Sequence, residues 1–103
     1  MYDPILTITT YIHNVTCLMK HDLSNDEFER LSYSSWAANE LANRIMDLPM
    51  IDPEIVIDNF LIELLLDSYY GSGKEGEFIF STAADAIEEI YLIIKRSKGE
   101  KNG

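Results

Sequence analysis

The sequence predicts an all-α protein, a compact bundle of four helices joined by short loops, and three observations carry that prediction. Apolar residues recur at spacings of three and four in four separate stretches. Helix-starting signals precede two of them: Ser24 with Glu27 three residues on, and Asp52 followed by Pro53. The connections are brief, which makes successive helices antiparallel neighbours. The helices are expected at about residues 4–20, 25–47, 53–70 and 82–97.

In the first stretch, Ile5, Ile8, Ile12, Val15 and Met19 form a helical seam. The same stretch is rich in β-branched residues, which favour strands, but strict alternation fails where Ile5 and Leu6 are adjacent. Residues 21–25 form a connection, and Ser24 with Glu27 makes a capping box for the second helix. Leu31, Ser34, Ala38, Leu41, Ile45 and Leu48 form its seam. Small residues fill the first half of that seam, so another backbone can come close there. Glu40 and Arg44 make a favourable pair one turn apart.

The third stretch, DPEIVIDNFLIELLLDSYY, reads as the helix around which the others pack. Asp52 is its N-cap, Pro53 its first helical residue, and Glu54 suits the helix dipole. It is apolar almost all the way round, with Asn59, Glu63 and Asp67 as the expected water-facing edge. Such a helix needs cover on more than one side, from its neighbours or from a second copy in a homodimer.

The stretch GSGKEGE after Tyr70 reads as a flexible linker, and it lacks the spacing of a phosphate-binding loop. Residues 77–80 are a candidate extended piece, with Ser81 or Thr82 opening the fourth helix. Ala83, Ala86, Ile87, Ile90, Tyr91, Ile93 and Ile94 form its apolar face, opposite Asp85, Glu88, Glu89, Lys95 and Arg96. Residues 1–97 are thus expected as one helical domain, and 98–103 as a flexible basic tail.

Composition narrows the function classes. The chain of 103 residues carries a formal charge of −10. Up to Ile94 there are seventeen acids against four bases, a body of −13, while the last nine residues carry +3. A body so acidic repels nucleic acid and anionic lipid, and a basic protein is its natural opposite number. The N-terminus does not read as a signal peptide and the most apolar run is short for a membrane span, so a cytoplasmic, soluble protein is expected. The one cysteine, Cys17, fits a reducing compartment and permits no internal disulfide.

No catalytic constellation is visible, and no enzyme activity, cofactor or metal is expected. There is no Gly-x-Ser-x-Gly, Cys17 lacks a base with an orienting partner, and His13 and His21 read as exposed and non-ligating. Ferritin-like Glu-x-x-His is also absent. All-α magnesium-dependent nucleotide pyrophosphohydrolases are similarly small and acidic, with metal-binding carboxylate pairs on facing helices. The nearest features here are Glu63 with Asp67, facing Glu40, and Asp85 with Glu88 or Glu89, at spacings that depart from that pattern.

In size and composition alone, the chain is similar to bacterial and phage neutralising proteins: immunity proteins, antitoxins and anti-restriction or anti-CRISPR inhibitors. The expected function is therefore non-catalytic inhibition of a basic, nucleic-acid-binding protein, without direct contact to nucleic acid or membrane. Glu63, Asp67, Asp85, Glu88, Glu89 and Tyr70 are the expected partner-binding residues. Aromatic side chains (Tyr2, Tyr11, Tyr33, Trp36, Tyr69, Tyr70, Phe78, Phe80 and Tyr91) are abundant enough to supply anchors. The alternatives are a homo-oligomeric assembly protein and the magnesium-dependent hydrolase, using Glu40, Glu63 and Asp67.

Overall fold

Asp3 starts the first helix by accepting hydrogen bonds from the backbone N–H groups of Ile5 (3.0 Å) and Leu6 (3.3 Å), with Pro4 at the position that needs no donor. The computed structural model describes residues 3–71 and 73–102, apart from the side chains of 98 and 100–102; Tyr2 lies outside the described residues. Helix α1 spans Pro4–Leu18, ending slightly before the expected boundary. Its β-branched residues are accommodated in part by threonine hydroxyls that donate to the preceding turn, Thr9 to Ile5 O and Thr16 to Ile12 O, both at 2.8 Å. The predicted seam faces inward, with Ile8 and Val15 buried and Ile5, Ile12 and Met19 half-buried.

Helix α2 (Asn25–Asp47) begins where Ser24 Oγ accepts from Glu27 N at 3.2 Å. Helix α3 (Pro53–Tyr70) begins where Asp52 Oδ1 accepts from Glu54 N at 2.9 Å. Both match the helices expected from their caps. No strand occurs among the described residues, and no helix there is long and apolar enough to cross a membrane.

Helix α4 (Gly73–Asn102) is much longer than expected. It takes in the KEGE sequence read as linker, the 77–80 segment read as extended, and most of the expected tail. Gly71 and Gly73 explain the early start. A side chain at Gly71 would overlap the carbonyl oxygen of Asp67, and Gly73 has φ +77°, a conformation open to glycine and costly for other residues. Gly73 N donates to Gly71 O at 3.0 Å, and Ser68 Oγ donates to Glu77 O at 3.5 Å, so the chain folds straight back into α4. Phe78, Ile79 and Phe80 are half-buried on a helix, where packing overrides their β preference. Ser81 does not cap; its hydroxyl donates to Phe78 O at 3.4 Å within the helix.

Helices α2 and α4 form the middle of the bundle, with α1 packed chiefly on α2 and α3 chiefly on α4. Their shared core contains Ala37, Ala38 and Ala42 from α2 and Ala83 and Ala84 from α4, small side chains that let the backbones approach. Ile8, Leu41, Ile57, Phe60, Leu64, Ile87, Ile90 and Ile94 fill the space around them. The organising role expected of α3 therefore belongs to α2 and α4, each of which packs on all three other helices. Helix α3 buries one face only, through Val56, Ile57, Phe60 and Leu64.

Two substitutions test this packing. Ala38→Leu forces extra volume between α2 and α4 and is expected to cost about 1–3 kcal/mol. Gly73→Ala places a side chain at positive φ and is expected to cost about 1–2 kcal/mol. Urea denaturation followed by circular dichroism reads both; a neutral result for Ala38→Leu would mean that the two helices have room to spare.

Candidate interaction surface

Arg44 is the one base between Arg30 and Lys74, and the fold uses it internally. From α2 its guanidinium donates to Glu40 Oε1 on the preceding turn (3.3 Å) and to both carboxylate oxygens of Glu63 on α3 (2.8 and 3.0 Å). It also lies 4.3 Å from the centroid of the Phe60 ring. The hydrogen bonds from Arg44 hold the Glu63 carboxyl below its ordinary value, against partial desolvation, and Glu63 in turn raises Arg44.

Glu63 is exposed, as expected of a water-facing edge, and is also a stitch between α2 and α3, a role the sequence did not assign to it. Glu40 and Glu63 do converge, as a hydrolase reading asks, but on a guanidinium. Among the described residues, no group of three or more His, Cys, Asp or Glu side chains is placed to hold a metal ion.

The other five expected binding residues fall in two places. Asp85, Glu88 and Glu89 are exposed on the outer face of α4, together with Leu92 and, one to two turns on, Lys95 and Arg96. Asp67 and Tyr70 are exposed near the C-terminal end of α3, where the Tyr69 and Tyr70 rings meet edge-on at 4.9 Å. No ion pair engages Asp67, Asp85, Glu88 or Glu89 among the described residues.

Glu89 also borders a groove of about 630 Å³ between α1 and α4, with Tyr11, Asn14, Leu18 and Ile93 in its lining. Burial, then the nearby Glu89 charge, raises the Tyr11 hydroxyl above its ordinary value, partly offset by Ser34 on α2. Among the other aromatics, Trp36 is exposed, whereas Tyr33, Phe78, Phe80 and Tyr91 are half-buried. Tyr33 and Phe78 make an edge contact at 6.1 Å, and Arg30 covers the Phe78 ring at 5.3 Å. Both histidines are exposed, as expected. Cys17 is exposed as well, with its sulfur 3.7 Å from His13 Nε2.

The outer face of α3 carries the apolar excess that the sequence anticipated, at residues not among the expected partner-binding ones. Ile55, Ile62, Leu65 and Leu66 are each about half exposed, and Tyr69 is 82% exposed. With Asp58 between them, they lie opposite the buried Ile57, Phe60 and Leu64. A shallow groove runs along each flank. One, of about 430 Å³, is lined by Leu48, Ile51, Ile55 and Asn59 among others; the second, of about 460 Å³, by Leu65, Ser68, Tyr69 and Glu77. The near-absence of a polar side on α3 was the available signal.

Glu63 has a depressed pKa in the fold, so its contribution to stability is full above about 4.5, its unfolded value, and is lost as pH falls through the lower folded value. The pair is half exposed and solvent-screened, so Glu63→Gln is expected to cost about 0.5 kcal/mol at neutral pH. In urea titrations that difference should vanish on acidification below the folded value. Separately, Glu89→Gln is expected to bring the Tyr11 titration down towards 10, its ordinary value, read by NMR of the labelled tyrosine ring.

No protein-family model, no curated protein and no solved structure matches the chain.

Proposed function

We propose that this chain is a non-catalytic, cytoplasmic binding protein that captures and neutralises a basic protein, one whose own work is on nucleic acid. The observation that carries the reading is the set Asp85, Glu88 and Glu89 on α4, exposed and free of ion pairs among the described residues. These carboxylates belong to a body in which acids outnumber bases seventeen to four. Such a surface steers a cationic partner and suppresses wrong ones, while a nuclease's basic groove offers the matching charge. Self-association is the competing reading. The exposed face of α3 favours it, and the like charge of a second copy opposes it.

The test uses the chain as bait, with elution along a salt gradient and mass spectrometry of what leaves. A single basic protein released at moderate salt is expected, as for an interface with a large electrostatic share. The double variant Glu88→Lys/Glu89→Lys should then weaken binding of that protein by about tenfold or more, with an unchanged thermal melt. Undiminished binding, measured by calorimetry, would count against α4 as the recognition face.

A further inference from the structure

We infer that the outer face of α3 is a docking site for a cationic amphipathic helix of the partner protein. The inference rests on the basic-partner reading above and goes further, by assigning the apolar anchor of the interface and the chemistry of what covers it.

Ile55, Ile62, Leu66 and Tyr69 follow one another at spacings of seven, four and three, so they form one straight stripe along the helix. At 1.5 Å per residue the stripe is about 21 Å long, matching a helix of about four turns. Leu65 widens it. An apolar helix face carried by spaced anchors is how one amphipathic helix reads another.

Charge selects the occupant. From Ile45 to Gly73 the chain has six acids (Asp47, Asp52, Glu54, Asp58, Glu63 and Asp67) and no Lys or Arg. Arg44, at the edge of this region, is held by Glu40 and Glu63. Asp58 interrupts the stripe itself and is exposed. A second copy laid on this face would bring two acidic rims together and desolvate Asp58 with no base to meet it, which is costly. A helix with Leu or Ile on one side and Lys or Arg along its borders covers the stripe and brings cations to Asp58 and Asp67, which are exposed and have no ion pair among the described residues. The groove formed by Leu65, Ser68, Tyr69 and Glu77 continues the same apolar-and-acidic character onto α4.

The test uses the full chain and three fluorescein-labelled peptides of 18 residues, about the length the stripe covers. The first is a Leu/Lys amphipathic helix, the second has its residues in scrambled order, and the third has every Lys replaced by Glu. Fluorescence anisotropy is expected to show the first binding at least about tenfold more tightly than the second, and no binding of the third. Ile62→Ser/Leu66→Ser should reduce binding of the first by about tenfold or more, with the helical circular dichroism retained because both side chains are half exposed.

Equal binding of the patterned and scrambled peptides, or an indifferent Ile62→Ser/Leu66→Ser variant, overturns the docking site. If Glu88→Lys/Glu89→Lys alone then abolishes binding, the basic-partner reading stands and the site moves to α4. If no cationic peptide binds and the bait recovers no basic protein, both readings fall. Sedimentation equilibrium completes the test: a dimer that Ile62→Ser/Leu66→Ser dissociates would give the face to a second copy and overturn the proposal.

Discussion

The structure depends on how closely α2 and α4 approach each other. Ala37, Ala38 and Ala42 on one helix and Ala83 and Ala84 on the other leave little side chain between the two backbones. That proximity makes α2 and α4 the middle of the bundle and sends α1 and α3 to its flanks. The larger side chains, Ile8 from α1 and Ile57, Phe60 and Leu64 from α3, then fill the space at either side. Helix α3 reaches the core with one face, and its second apolar face stays about half exposed among the described residues.

Electrostatics divides along the same lines. Of the two bases on α2 and α3, Arg30 covers the Phe78 ring and Arg44 ties Glu63 to Glu40 and caps the Phe60 ring. Carboxylates farther from it, Asp67, Asp85, Glu88 and Glu89, stay exposed without an ion pair among the described residues. Arg44 thus sets Glu40 and Glu63, which join α2 to α3, apart from the carboxylates without an ion pair. Their identities look alike in the sequence, and only the three-dimensional position of Arg44 tells them apart.

Much of the fold was legible from local chemistry. Ser24 and Asp52 announced α2 and α3 through their caps, and the small seam of Ser34 and Ala38 announced a close helix pair. Legibility failed where a local signal competed with packing. Phe78, Ile79 and Phe80 carry strand preference, and Ser81 resembles a cap, yet all lie within α4 because the turn at Gly71 and Gly73 returns the chain directly onto α3. The candidate site was legible as a composition and less so as a place. Glu63, Glu88 and Glu89 are all outward-facing as expected, while the tie from Glu63 to Arg44 was not legible because its partner lies nineteen residues earlier.

The two faces of α3 have consequences for how such a chain changes over time. Phe60 and Leu64 are constrained by the core, whereas Ile62 and Leu66 are about half exposed and Tyr69 is mostly exposed. Substitutions in the second set are expected to cost less stability than those in the first. On the docking proposal above, recognition and stability would lie on separate sides of one helix, and the target could change without the core being rebuilt.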